Sequence, residues 1–109
     1  MIKSISLIKK KPGLTDEEFR HYWKEKHAPL AAKVVPGVRH YVQNHPVKVP
    51  GMKYEADGIV ELWFDDLKAL QDYLAWRQTK DGKVLLDDED KFADTGKLVR
   101  FIVEEHVIK

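Results

Sequence analysis

Thr15-Asp16-Glu17-Glu18-Phe19-Arg20-His21-Tyr22-Trp23-Lys24-Glu25-Lys26-His27-Ala28-Pro29 is the stretch from which the rest of this 109-residue chain can be read. It opens as a helix should. Thr15 stands as N-cap with Glu18 three residues on, so each side chain can bond the other's backbone N–H, and Leu14 and Phe19 can close a hydrophobic staple around the pair. At the helical period, Phe19, Tyr22, Trp23, Lys26, His27, Leu30 and Val34 share one stripe. Lysine can run its methylenes along an apolar face and lift its charge into water. Histidine has no such escape, so His27 must be hydrogen-bonded, at a helix edge, or facing a polar cavity. Pro29 removes a backbone donor from a helix expected over 16–33, leaves the carbonyl of Glu25 without its partner, and predicts a bend just after His27.

Upstream, residues 1–9 alternate as a strand, with Lys3, Ile5 and Leu7 on one side and Ile2, Ser4, Ser6 and Ile8 on the other. Downstream, Pro36-Gly37 ends the helix and a second strand is expected over 38–47. Its alternation separates Val38, His40, Val42 and Asn44 from Arg39, Tyr41, Gln43 and His45. A loop bounded by Pro46 and Pro50-Gly51 leads through Tyr54 to a third strand, 58–64. Asp65 or Asp66 can cap a second helix with the stripe Leu67, Leu70 and Leu74. A further helical piece carries Val84, Leu85, Leu86 and Phe92, and a last strand is expected over 97–108. The order strand, helix, strand, strand, helix, strand is the split βαβ pattern of an α+β ferredoxin-like sandwich: a four-stranded antiparallel sheet with both helices on one face, in a single domain over residues 1–109. With Tyr41, Gln43, Glu61 and Trp63 pointing away from the helices, the other face would be too large and aromatic to leave in water. Two such sheets packed together would close a barrel with a semi-polar centre.

Composition narrows the function classes. Nineteen Lys and Arg against eighteen Asp and Glu leave no field of one sign, which argues against nucleic acid as the main partner. There is no cysteine, so disulfides, thiolate metal sites and cysteine nucleophiles are excluded. No apolar segment could act as a leader or span a bilayer, so a soluble, cytoplasmic protein with no membrane contact is expected. Asp87-Asp88-Glu89-Asp90 lacks the spacing and glycine of a calcium loop and reads as an acidic helix face. His21, His40, His45 and His106 show no metal-binding spacing, and no metal is expected. Three tryptophans, four tyrosines and four phenylalanines are a heavy aromatic load for one small core, and a partner subunit or a ligand cavity would account for part of it.

Several of these stretches together resemble the EthD-like family of the dimeric α/β-barrel superfamily. They are Lys11-Pro12-Gly13-Leu14, the spacing of Phe19, Trp23, His27 and Pro29, Pro36 through Asn44, Asp57 through Phe64, and Glu104 through Ile108. The resemblance spans essentially the whole chain. It implies a homodimer whose sheets form a barrel, each subunit keeping a pocket between its first helix and its sheet. Similar barrels include methylmuconolactone isomerases, polyketide cyclases and fungal pigment dehydratases, which need no metal or organic cofactor. The family name comes from an accessory protein of an ether-degrading oxygenase cluster. The isomerases' catalytic His and Tyr correspond, by this resemblance, to His27 and Tyr41. Where they carry a second histidine, this chain has Tyr54, with His45 nearby.

The expectation is therefore an enzyme without cofactors that moves a proton on a small hydrophobic or aromatic organic acid, lactone or polyketide-type substrate. It would be an isomerase, cyclase or lyase. His27 would be the acid/base and Tyr41 the oxyanion donor, with Phe19, Trp23, Tyr54, Glu61 and Trp63 around the substrate. The alternative is a non-catalytic binder, or an accessory to an oxygenase, that holds a hydrophobic metabolite.

Overall fold

The computed structural model describes residues 1–109. Strand β1 (Ile2–Ile8) leads into helix α1 (Asp16–His21), a π-helical turn (Tyr22–His27) and helix α2 (Ala28–Val34), which follow one another without leaving helical backbone geometry. Strands β2 (His40–Asn44) and β3 (Gly58–Phe64), helices α3 (Leu67–Arg77) and α4 (Lys83–Glu89), a 3₁₀ turn (Thr95–Lys97) and strand β4 (Val99–Glu104) complete the chain. The sheet is antiparallel in the order β2-β3-β1-β4. This is the ferredoxin-like α+β arrangement. The second and last strands are shorter than expected, by two residues at the start and three at the end of β2 and by two and four in β4.

The capping box at α1 is formed as the sequence predicts: Glu18 N–H donates to Thr15 Oγ1 at 3.0 Å, and Thr15 N–H to Glu18 Oε1 at 2.9 Å. Asp66 caps α3 through the backbone N–H of Ala69. The buried stripe of α3 is Leu70, Tyr73 and Arg77, while Leu67 is exposed.

The first helix departs from its expected stripe. The buried residues are Phe19, Trp23, His27 and Ala31, spaced by four throughout, and Lys26 is exposed. In an ideal α-helix, twelve residues at that spacing would carry Ala31 about 120° around the axis from Phe19. The π turn takes in one extra residue, which removes most of that drift. It is stabilised where the proline had predicted a bend: the Ala28 N–H bonds five residues back to the Trp23 carbonyl, and Gln43 Nε2 donates to the same oxygen at 2.9 Å. The helix widens instead of breaking.

Two apolar clusters form under the helices. One joins Phe19, Trp23, Ile8, Phe92 and Ala93; the other joins Ala31, Val35, Leu62, Phe64, Leu70, Tyr73 and Leu85. Trp23 fits against β3 because residue 58 is glycine: a Cβ there would stand 2.5 Å from the indole.

Register corrects the assignment of sheet faces. Ser4, Ser6 and Ile8 are buried beneath the helices and pair with Leu62, Val60 and Gly58. Tyr41 and Gln43 stand opposite Leu62 and Val60 on that same face, whereas Glu61 and Trp63 face the other way. Alternation alone groups all four on the outer face. Tyr41 and Gln43 differ because their polar atoms are used under the helix, at the π turn and on each other.

Candidate functional site

Between the two apolar clusters lies a cavity of about 60 Å³, walled by members of both, including Trp23, Phe92, Ala31 and Leu85. It has room for several waters or a small ligand and is well below the roughly 300–1,000 Å³ of drug-sized sites. Its polar groups are few: His27, Tyr41, Ser6, Tyr73, Glu89, Thr95 and Arg100.

His27 is 5% exposed and lies at the end of the π turn. Its Nδ1 is 2.8 Å from Asp88 Oδ2, and the other oxygen of Asp88 accepts the Tyr22 hydroxyl at 2.5 Å. Burial pushes the Asp88 carboxyl up, but the hydrogen bonds from Tyr22 and His27 outweigh it and leave it below its ordinary value. An ionised carboxylate can only accept, so Nδ1 carries a proton toward Asp88, and in the neutral form of the ring Nε2 presents a bare lone pair. That nitrogen has no protein partner, yet no buried side-chain nitrogen or oxygen is left unsatisfied. Nε2 is therefore open to the cavity. A base held by a carboxylate through its far nitrogen is the arrangement that proton-transfer chemistry uses.

Tyr41 reaches the same cavity from β2. Its hydroxyl accepts from Gln43 Nε2 at 2.9 Å, which leaves the O–H proton free to donate. Burial raises the phenol above its ordinary value, and the Gln43 bond opposes that only in part, so Tyr41 is a donor over the whole neutral range.

On the far wall the Arg77 guanidinium donates to both oxygens of Glu89, at 2.9 and 2.8 Å, and to the Tyr73 hydroxyl at 3.1 Å. Arg100, from β4, touches Ser6 Oγ through Nε at 3.3 Å.

Of the residues singled out in the sequence, His27, Tyr41 and Trp23 line this cavity, and Phe19 is buried behind Trp23, their rings 5.6 Å apart. The others lie elsewhere. Tyr54 is exposed and donates to the Val47 carbonyl. His45 stacks on Trp23, 4.2 Å between centroids, and bonds Gln43. Glu61 accepts from Lys3 at 2.9 Å on the outer sheet face, and the Lys3 ammonium lies 4.7 Å from the centre of the Trp63 ring there. Asp88 was passed over within an acidic run. The pattern Leu85, Asp88, Phe92 at helical spacing would have marked it as inward-facing. Arg100 was passed over too, although the alternation of Val99, Phe101 and Val103 puts it on the helix side of the last strand.

The fold and this site define a ferredoxin-like sandwich with a histidine-bearing cavity beneath its first helix. An EthD domain profile matches residues 11–96, and the chain belongs to that family. An EthD family protein of Bacillus halodurans superposes with a TM-score of 0.73 at 27% identity, covering 97% of this chain and 100% of the other. An EthD-like protein of Ralstonia eutropha gives 0.71 at 16% identity, over 99% and 94%. A dimeric protein of ferredoxin-like fold from Bacteroides fragilis gives 0.64 at 15%, over 95% of each chain. No curated protein matches the chain. No helix is long and apolar enough to cross a membrane, and no group of three or more His, Asp or Glu side chains is placed to hold a metal ion.

Proposed function

We propose that this protein is an enzyme of the proton-transfer type that acts, without metal or organic cofactor, on a small hydrophobic or aromatic organic acid, lactone or polyketide-type substrate. The observation that carries the reading is the Asp88–His27 pair with Nε2 turned to an aromatic-walled cavity. His27 Nε2 takes a proton from a carbon beside a carbonyl, and the electron pair moves onto the carbonyl oxygen. That enolate oxygen accepts the Tyr41 O–H bond. The imidazolium, held by Asp88, then returns the proton to a second carbon (isomerisation), to a leaving oxygen (elimination), or to the alkoxide formed when the enolate carbon adds to a second carbonyl of the same substrate (ring closure). General acid–base catalysis of this kind is worth roughly 10²- to 10⁴-fold. Trp23, backed by Phe19, shapes the wall.

The test is solvent-deuterium incorporation, followed by NMR, into a panel of small enolisable lactones and cyclic ketones. Wild type should exchange at least one of them and His27→Asn should not. Equal exchange by both proteins would sink the reading.

The mostly apolar lining favours a second reading, in which the protein stores or delivers a hydrophobic metabolite for an oxygenase. Saturable ligands that never exchange or turn over would decide for it. In either case we propose a homodimer joined through the outer sheet face. Val99 and Phe101 are 46% and 53% exposed there, beside Trp63 and Ile5, and the Bacteroides fragilis relative is a dimer.

A further inference from the structure

Arg100 is the one cation of the cavity lining that no carboxylate neutralises. Register places it opposite Ser6 on the helix-covered face of the sheet, and Nε spends its single N–H on Ser6 Oγ. The four N–H groups on its two Nη nitrogens have no protein acceptor, and neither nitrogen is buried, so both are accessible on a residue that lines the cavity. The only carboxylate in the lining, Glu89, has both oxygens on Arg77. Burial works against the Arg100 charge and outweighs every other effect: Tyr73 favours the charge, Arg77 opposes it by less, and Glu89 favours it by less still. Arginine nevertheless does not give up its proton in proteins. A guanidinium held among apolar walls without a counter-ion is costly, and an anion arriving in the cavity removes that cost.

We infer that Arg100 is the specificity-determining residue of this cavity and selects a small, largely apolar ligand carrying one carboxylate. The planar Nη edge matches the two oxygens of a carboxylate, which a lysine ammonium would meet only as a point charge. The volume of about 60 Å³ limits the ligand to a small acid. One free positive charge, with Arg77 and Glu89 already cancelling, sets the count of anionic groups at one. The inference rests on the proposed use of this cavity as the ligand site, but not on proton transfer by His27.

The experiment compares benzoate with benzamide, and cyclohexanecarboxylate with its amide, by calorimetric titration of the full-length protein and of Arg100→Gln, Arg100→Lys and His27→Asn. Wild type should bind each acid at least about tenfold more tightly than its neutral amide. Arg100→Gln should lose about ten- to hundredfold in acid affinity while amide affinity changes by less than about twofold. Arg100→Lys should fall between, keeping the preference for charge. It also serves as the test should the glutamine variant fail to fold, because a lysine variant with no preference for the acid would overturn the inference. Equal binding of acid and amide by wild type, no saturable binding of either acid, or undiminished acid binding by Arg100→Gln would also overturn it. His27→Asn separates the two ideas. If it binds the acids like wild type but exchanges no carbon-bound proton of the enolisable lactones and cyclic ketones, both hold. If it still exchanges them, proton transfer by His27 fails and the Arg100 anchor stands.

Discussion

Asp88 Oδ2 and His27 Nδ1, 61 residues apart in sequence, meet at 2.8 Å in a site from which water is largely excluded. The bond fixes which ring nitrogen faces the cavity. In Asp88→Asn, the amide can either donate to Nδ1 or accept from it, so the single tautomer is lost. We expect ¹⁵N NMR of the imidazole to change from one dominant Nδ1–H form to a mixture, with a loss of about 1–3 kcal/mol in urea unfolding. An unchanged tautomer would show that Asp88 does not orient the ring.

Gln43 links three groups: Nε2 donates to the Trp23 carbonyl and the Tyr41 hydroxyl, and Oε1 lies 2.8 Å from His45 Nε2. Gln43→Leu should cost about 1–3 kcal/mol by leaving half-buried polar atoms unpaired. Because the Gln43 bond holds the Tyr41 phenol down against burial, its loss should raise the Tyr41 titration further. Tyrosinate absorbance against pH, with Tyr41→Phe to identify the signal, reads this directly. A lower titration point would contradict the assignment.

Gly58→Ala puts a methyl group 2.5 Å from Trp23 Cη2 and 3.1 Å from Ile8, with the strand backbone unable to retreat. Overpacking of this kind costs about 1–3 kcal/mol. The midpoint of urea unfolding should fall accordingly, and a Trp23→Phe background should recover part of the loss.

The Tyr22 hydroxyl is pushed up to about 12 by burial first and then by its bond to Asp88. Its folded value is above its ordinary value near 10, so the stability it contributes is complete below about pH 10 and disappears as pH rises through about 12. The stability difference between wild type and Tyr22→Phe should therefore be constant at neutral pH and shrink across that alkaline window. The Asp88 carboxyl has the opposite sign. Its value is depressed, so its contribution is present above the ordinary carboxylate value and is lost as pH falls through the depressed one.

The outer face gives the last expectation. Phe101→Asp or Trp63→Asp should convert a dimer to a monomer in light scattering at micromolar concentration. Substitutions on the helix-covered face should not. A wild-type monomer would remove the dimer proposal.

The parts of this molecule that obey short-range rules could be read from the chain. Thr15 and Glu18 form their reciprocal cap within four residues, and the βαββαβ order follows from alternation and turn residues. His27 could be located because one polar residue interrupts an otherwise apolar stripe. Its partner is harder to see, because Asp88 sits among four consecutive acids and only the helical spacing it shares with Leu85 and Phe92 singles it out. That it meets His27 depends on how α4 packs against α2. The faces of β2 were misassigned for a related reason. Tyr41 and Gln43 look like residues of the outer, barrel-forming face until the π turn supplies a carbonyl for the glutamine, and nothing in the local pattern of residues 22–27 announces that turn.

The two apolar clusters share only a half-buried neighbour, Val60, and the cavity lies between them. Under the proposed function, a ligand that fills that gap completes the interior, so that recognition and consolidation of the fold become one event. A compound that binds only the folded chain at a hundred times its dissociation constant adds about 2.7 kcal/mol to stability. The melting temperature of this protein is then a readout of ligand identity that needs no knowledge of the reaction. If the proposed function holds, screening small acids by heat alone would pick out the ligand as the one that makes the core whole.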